Sequence, residues 1–414
     1  MDALTLTFAL APHIVKGLAS GIYVRTGGVI QDAVTKQVVA WLRDLVPMPT
    51  SSPNNLLNLV VSGANAAVTA KGLADVNGRL GGIENQLGEL GQSLQINQGI
   101  LQITTAASVL SLGVSVMGFA VIAQRLKELE KRLKQAEELL SKVNRKIDLS
   151  FYANFRAAIE LAVNAFTMTK TENRRGSALQ AINRFLEAEH IYTEYTDIEI
   201  EEQSQIADEY LLTLSLAYLA EARCYLELEE HETALRRFQE GAKVIRSRTE
   251  KYVEILLTSN PAAYLQPQFK DVIDLRRMTR IYQWLNPTLD ENDVFNIERE
   301  NLFKIATVPY EWVESLPVAI LTRVEVQGGW FGPSHEDLKQ EADKRLPQVL
   351  ELIESMIETN RRFEAYQTEL QAISQLGISF HDWLKLTPST EIKPEGAELM
   401  YIIPSKPLDL QPSI

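Results

Sequence analysis

Two stretches of the chain repeat apolar residues at alternating spacings of three and four, the pattern of a coiled-coil seam. The first seam comprises Val76, Leu80, Ile83, Leu87, Leu90 and Leu94. The second seam comprises Leu126, Leu129, Leu133, Ala136, Leu140, Val143 and Ile147. Because no proline interrupts residues 54–147, this pattern predicts one long helix, or a hairpin of two, over residues 53–147.

An uncharged run extends from Leu90, within the end of the first seam, through Gln124, just before the second seam. Within it, residues 100–123 form an apolar segment that is long enough to span a bilayer, which takes about 20 helical residues. Basic residues such as Arg125, Lys127 and Lys131 follow the segment directly. An inserted helix is therefore expected to keep its C-terminal end in the cytoplasm.

One stripe of this segment is small or hydroxyl-bearing, whereas the other faces carry large apolar residues such as Leu110 and Phe119. Small and hydroxyl-bearing residues permit close packing of helices and hydrogen bonds between them. The stripe, which predicts a membrane-insertion or helix-packing surface, consists of Thr104, Ser108, Ser111, Ser115 and Gly118. Two alternatives stay open: a helix buried in a soluble bundle, and a segment that is sheathed in a soluble form and released on insertion.

The N-terminal segment, residues 1–52, carries a different pattern. β-Branched and aromatic residues surround Gly27-Gly28, and a polar turn DAVTK separates two apolar runs, which predicts a β-hairpin within residues 20–46. A proline- and serine-rich stretch then marks a boundary near residue 52. The first residues lack a basic region, so we expect no cleaved targeting peptide. A short strand in AELMYIIP is expected to pair with this hairpin.

Residues 148–290 have the pattern of stacked shorter helices. The segment at 216–246 resembles one tetratricopeptide-type helical hairpin, on the positions Tyr218, Ala222, Tyr225, Ala234, Phe238 and Gly241. The segment SALQAINRFLEAEHIY repeats its second-helix pattern. Ordinary packed helices of a bundle produce the same spacing, so that reading stays open.

The remaining segment, residues 291–414, is predicted to hold a loop, a long helix and an extended tail. Ser334 and Asp337 form a capping box that opens a helix running to about Leu376 through Pro347. The glycine-rich loop before it carries Trp330 and Phe331. Large aromatics at a loop tip suit a contact with a protein or with a bilayer interface, so both residues are candidates for partner binding.

These segments together predict a mainly α fold, an elongated helical bundle with long coiled-coil helices and a small N-terminal β-hairpin. The formal net charge of −13 and the pI near 5.1 disfavour binding to nucleic acid. With a single cysteine, Cys224, the chain forms no intramolecular disulfide and no multi-cysteine metal site.

No nucleotide-binding or nucleophile motif is present in the sequence. Glu187 and His190 form half of a carboxylate-bridged di-metal pattern whose second half is missing. We therefore expect no catalytic residues, no cofactor and no metal, and a protein that is not an enzyme. An enzyme whose site is assembled only in space is the third and least supported alternative.

A long apolar helix between heptad seams, in an acidic chain without a targeting peptide, resembles the α-helical pore-forming toxins of the cytolysin-A-like kind. The resemblance covers about residues 54–150 and concerns the architecture. It implies a soluble cytoplasmic form that inserts an apolar helix into a lipid membrane and forms homo-oligomers there. The alternative is a helical interaction scaffold or a membrane-anchored adaptor that binds a protein partner through its helical hairpins.

Overall fold

The computed structural model describes residues 4–9, 12–26, 29–44, 94–97, 100–105, single positions within 122–134, and residues 150–270, 272–308, 311–323, 326, 332–385 and 399–402. Helices dominate these residues, which confirms the predicted mainly α class. The described part of the chain divides into two compact units. Unit 1 contains Met1–Ile191, Thr213–Lys243 and Glu358–Ile414, and unit 2 contains Tyr192–Leu212 and Val244–Ile357.

Unit 1 begins with the strand β1 (Leu4–Ala9) and the helix α1 (Pro12–Ala19), which precede an antiparallel meander. The meander consists of β2 (Tyr23–Thr26), β3 (Val29–Asp32) and β4 (Val38–Asp44). It confirms the predicted hairpin within residues 20–46. The carboxylate of Asp32 closes the second turn by accepting the backbone N–H groups of Val34 and Thr35 at 2.9 and 2.8 Å.

The sheet continues beyond the meander through strands from distant parts of the sequence. The strand β7 (Leu399–Ile402) pairs antiparallel with β4, which confirms the strand expected in AELMYIIP. β7 also pairs parallel with β1. Two further strands, β5 (Leu94–Asn97) and β6 (Ile100–Thr105), complete the described sheet in the order β2-β3-β4-β7-β1-β6-β5.

The strands β5 and β6 correct the prediction of an uninterrupted helix over residues 53–147. β6 pairs antiparallel with β1 over six residue pairs, and β5 pairs antiparallel with β6 over four. Isoleucine and threonine favour extended backbone, and β1 supplies the hydrogen-bonding edge that no local pattern reveals. The predicted apolar helix therefore does not begin at Ile100, and residues 106–121 lie outside the described part.

The described positions between 122 and 134 are helical and confirm the beginning of the second seam. The exposed fractions of Leu126, Leu129 and Leu133 are at most 2%, whereas Lys127 and Lys131 are exposed. The remaining residues of the second seam, and the first seam before Leu94, lie outside the described residues. Where the structure describes the second seam, its leucines are therefore buried against protein and its lysines are exposed.

The next helices are α2 (Ser150–Thr167), in unit 1, and α3 (Thr171–Glu201), which belongs to unit 1 up to Ile191. The next two helices, α4 (Ala207–Glu227) and α5 (His231–Leu257), form a hairpin whose turn contains Glu229 at a φ of 59°. The core of unit 1 includes an edge-to-face contact of Phe155 with Phe185 at 5.8 Å between ring centroids.

Unit 2 contains 3₁₀ turns at Pro261–Leu265 and Pro267–Phe269, followed by α6 (Leu275–Leu285), α7 (Glu291–Thr307) and α8 (Glu311–Glu314). The long helix α9 (His335–Leu376) begins in unit 2 and ends in unit 1, where the short α10 (Phe380–Lys385) follows it. α9 confirms the predicted helix, because Ser334 and Asp337 hydrogen-bond each other as a cap and Pro347 does not end the helix.

Candidate functional sites

Of the residues predicted to insert into a membrane, pack helices or bind a partner, the structure describes only Thr104. Thr104 lies in β6 opposite Thr5, which corrects its expected place on a helical stripe, because it is part of a β-ladder there. The other stripe residues, Ser108, Ser111, Ser115 and Gly118, and their neighbours Leu110 and Phe119, lie outside the described residues. The same holds for the loop aromatics Trp330 and Phe331.

Within the hairpin of α4 and α5, a glycine allows an aromatic ring to lie close to the helix backbone. A Cβ atom built on Gly241 would lie 2.9 Å from Cγ of Tyr218 and 3.2 Å from Cε1 of Phe363. Phe238, one turn before Gly241, is buried and contacts the rings of Phe363 and Tyr366. Small and aromatic residues therefore pack here as the hairpin pattern predicts.

A single guanidinium group, that of Arg237 on α5, joins three consecutive helices of unit 1. It donates hydrogen bonds to Glu189 on α3, to Glu221 on α4 and to Glu240 on its own helix. Its Cζ atom also lies 5.2 Å from the ring centroid of Tyr218. We call Arg237, Glu189 and Glu221 the arginine clamp. Charge-assisted, forked hydrogen bonds of this kind fix the geometry of the helices that carry them.

Burial favours the protonated form of both glutamates of the arginine clamp. Burial, together with the nearby charge of Glu221, raises the pKa of Glu189 to about 10. Burial also raises the pKa of Glu221, although Arg237 opposes that shift. One carboxyl group is therefore protonated, while Arg237 balances the charge of the other. The exposed fractions of the Glu189 and Glu221 side chains are 6% and 1%. Both carboxyl groups therefore contact protein rather than solvent.

A second buried charge cluster of unit 1 joins the sheet to α9. Arg25 on β2 and Arg362 on α9 both donate to Oε1 of Glu358 at 3.3 Å. Burial lowers the pKa of Arg362 to about 10, although Glu358 opposes the shift. Nearby, the indole N–H of Trp383 on α10 donates to Glu369 at 3.0 Å. The Arg25–Glu358 bond attaches α9 to the sheet, and the Trp383–Glu369 bond attaches α10 to α9.

No group of three or more potential metal ligands occurs within the described ranges. Of the half di-metal pattern, Glu187 belongs to an ion pair instead. Glu187 accepts a hydrogen bond of 2.8 Å from Arg184, and the neighbouring Glu189 belongs to the arginine clamp. The sequence offered no signal for this clamp, because its members lie on three helices and up to 48 residues apart.

In unit 2, the helix α7 is polar on its buried side. Tyr282 donates a hydrogen bond of 2.5 Å to the buried Glu298, and Asn260 donates to the backbone oxygen of Asn301 at 3.3 Å. Burial raises the pKa of Glu298. Four large apolar residues of α7 are exposed, whereas Val294 is buried. The exposed fractions are 50% for Phe295, 38% for Ile297, 37% for Leu302 and 68% for Phe303. Sequence periodicity alone did not single out this helix.

No family model, curated protein or solved structure matches this chain. Among the residues that the structure describes, no helix is both long enough and apolar enough to cross a membrane.

Proposed function

We propose that this protein is membrane-active: a form soluble in the cytoplasm inserts an apolar helix into a lipid bilayer and oligomerises there. The observation that carries the proposal is the uncharged sequence that follows β6. Residues 106–123 number 18 and contain no charged side chain. As a helix they would extend about 27 Å at about 1.5 Å per residue. The hydrocarbon core of a bilayer is about 30 Å thick, and modest mismatch is tolerated.

The two ends of this segment support a sheathed soluble form. Its N-terminal end follows β6, which six residue pairs hold against β1. At its C-terminal end, Ile122 is fully buried and continues the spacing of the second seam toward Leu126. Glu130, in the same helical stretch, accepts a hydrogen bond of 2.8 Å from Arg156 on α2. Because the C-terminal end is expected to stay on the cytoplasmic side, insertion must release the attachment of β6 to β1.

Charge and side-chain size support a direction of insertion and a mode of assembly. The basic residues from Arg125 onward would keep the C-terminal end of the inserted helix on the cytoplasmic side. Ser108, Ser111, Ser115 and Gly118 recur at helical spacing and would permit close contact between neighbouring helices. A pore or a permeabilising oligomer is the expected product.

The decisive experiment locks β6 to β1. Thr5 and Thr104 are directly paired, so their Cα atoms lie within the range that a disulfide bridges. The double variant T5C/T104C should release dye from liposomes only after reduction, because the oxidised bond holds the N-terminal attachment. The native Cys224 is fully buried and does not compete for the new cysteines.

A matched control places the same bond elsewhere in the sheet. Val24 and Gln31 are directly paired between β2 and β3, away from β6. The variant V24C/Q31C should release dye equally well oxidised and reduced. If the wild-type chain releases no dye from phosphatidylcholine vesicles, with or without phosphatidylglycerol, at acidic and at neutral pH, the proposal is wrong.

A second candidate function is a helical interaction scaffold, which the close packing of Gly241 against Tyr218 in the α4–α5 hairpin favours. Rigid helical hairpins present surfaces for protein partners. Partitioning separates these functions. A scaffold stays monodisperse without detergent and never enters liposomes, whereas the membrane-active protein enters them from a soluble form. A membrane-anchored adaptor, the variant of the scaffold, would reside in membranes permanently.

A further inference from the structure

The described sheet consists of two groups of strands that are joined by β7, the last of its strands in the chain. The meander β2-β3-β4 lies on one side of β7, and the strands β1, β6 and β5 lie on the other. Consecutive strands pair within the meander, and β5 pairs with β6 in the same way. β7 pairs with one strand of each group. The strand order therefore makes β7 the junction between the two groups.

The two edges of β7 are paired unequally. On the β4 side, every residue of β7 has a partner. On the β1 side, only Leu399 and Met400 have partners, which are Phe8 and Ala9. This second pairing is also parallel, and parallel pairing is slightly less stable per residue than antiparallel pairing. We call it the β1–β7 seam, and it spans the fewest residues of all the described strand pairings.

The strands on the β4 side of the seam are fixed to the helices of unit 1. Arg25 on β2 donates to Glu358 on α9 at 3.3 Å, and both side chains are buried. The helix α10, which precedes β7 in the chain, begins with a backbone N–H of Phe380 that donates to Glu229 at 2.8 Å. The ring of Phe380 also lies 4.5 Å from the guanidinium carbon of Arg223. The meander and the helix before β7 are therefore held by contacts that do not involve β1.

The strand β1 is held mainly from its other edge. β6 pairs with it along its whole length, Leu4–Ala9, and leads directly into the uncharged residues 106–123. While the β1–β7 seam is closed, β1 is an interior strand with a neighbour on each edge. Once the seam is open, β1 becomes an edge strand of a three-stranded sheet. Elements with fewer neighbours open at a lower free energy than interior ones.

We propose that the described sheet divides at the β1–β7 seam, so that β1, β6 and β5 separate from a fixed sheet of β2, β3, β4 and β7. The consequence for membranes rests on the proposed function. Opening of the seam precedes the release of β6 from β1 and so controls when residues 106–123 are freed. The division of the sheet is a property of the folded chain and needs no lipid.

The first test measures amide hydrogen exchange of the full chain in lipid-free buffer. The variant F8C/L399C places a disulfide across the seam, and L42C/Y401C places one between β7 and β4. Each oxidised variant is compared with its own reduced form, so any effect of the substitutions themselves cancels. Oxidation of F8C/L399C should slow exchange in β1 by roughly ten-fold or more, because opening of the seam exposes that strand. Oxidation of L42C/Y401C, the matched control, should leave exchange in β1 unchanged.

A second variant, A9C/M400C, crosses the seam at its other residue pair and should act like F8C/L399C. Circular dichroism establishes that the reduced variants are folded. Equal slowing by the seam disulfides and by L42C/Y401C would overturn the inference, because the sheet would then open as a whole. Unchanged exchange in β1 after oxidation of both seam variants would overturn it as well.

The second test follows dye release from liposomes of phosphatidylcholine and phosphatidylglycerol. Oxidised F8C/L399C should release dye roughly ten-fold more slowly than its reduced form, whereas L42C/Y401C should release it equally fast in both forms. Equal rates for the two forms of F8C/L399C would overturn the control of insertion by the seam. If the wild-type chain releases no dye, the membrane proposal fails, and the exchange experiment alone decides whether the sheet divides at the seam.

Discussion

Gly241 lies directly against the ring of Tyr218, so that a Cβ atom on Gly241 would come within 2.9 Å of the ring carbon Cγ. Ordinary Cβ contacts do not approach so closely, and the ring is held in turn beneath Arg237. An alanine at this position must displace the ring, and with it part of the arginine clamp. The close approach of α4 and α5 therefore depends on a missing methyl group.

We expect Gly241→Ala to lower the free energy of unfolding by about 1–3 kcal/mol, the usual effect of overpacking. Chemical denaturation followed by circular dichroism measures it. The control is Gly176→Ala on α3, where no atom lies within 4 Å of the added Cβ. That variant should raise stability by about 0.5–1 kcal/mol, because alanine favours helix over glycine. Equal effects at the two positions would contradict the packing explanation.

Removing the guanidinium of the arginine clamp should be strongly destabilising. We expect Arg237→Met to lower the free energy of unfolding by about 3–5 kcal/mol, because Glu221 would keep a buried charge without its partner. Arg184→Met removes an exposed pair with Glu187 and should cost less than about 1 kcal/mol.

The double variant E221Q/R237M separates the loss of charge compensation from the loss of packing. If the uncompensated charge causes the damage, the double variant should recover part of the stability lost in Arg237→Met. Denaturant titrations of the single and double variants measure this recovery. A double variant less stable than Arg237→Met would show that packing, not charge, is lost.

Glu189 should make stability depend on pH. Its folded-state pKa of about 10 lies above the value of an unfolded glutamate, so the folded chain binds the extra proton. The stabilisation it contributes is complete below the unfolded pKa near 4.5 and is lost as pH rises toward 10. Denaturant titrations between these values should show wild-type stability falling relative to Glu189→Gln. The exposed Glu187→Gln control should follow the wild type, and parallel curves for wild type and Glu189→Gln would exclude a raised pKa.

The small-residue stripe of the apolar segment should govern assembly in membranes. Ser111→Leu and Gly118→Leu should block close helix packing and abolish oligomers in liposomes, because large side chains keep the backbones apart. Chemical cross-linking in the membrane measures this assembly. Leu110→Ala, on another face of the same segment, is the control and should leave oligomers present. Undiminished oligomers in both leucine variants would reject the assembly role of the stripe.

Local sequence signals correctly predicted several elements before any tertiary information. The Asp32 turn, the Ser334–Asp337 cap and the Leu126–Leu133 seam all arise from residues within one or two turns of each other. Capping, turn formation and heptad burial each depend on a few neighbouring side chains. These features therefore followed from the order of residues alone.

The sequence by itself determined the mainly α class, the uncharged run after residue 90 and the acidic balance of the chain. Composition and periodicity are properties of the residue order and do not depend on contacts between distant segments. Only the tertiary structure decided that residues 100–105 form a strand, since the edge that pairs with them lies at residues 4–9. It likewise brought Glu189, Glu221 and Arg237 together from three helices and turned Phe303 outward. Strand pairing, charge clustering and the rotation of a helix about its axis all depend on contacts between residues far apart in the chain. Local periodicity does not encode such contacts.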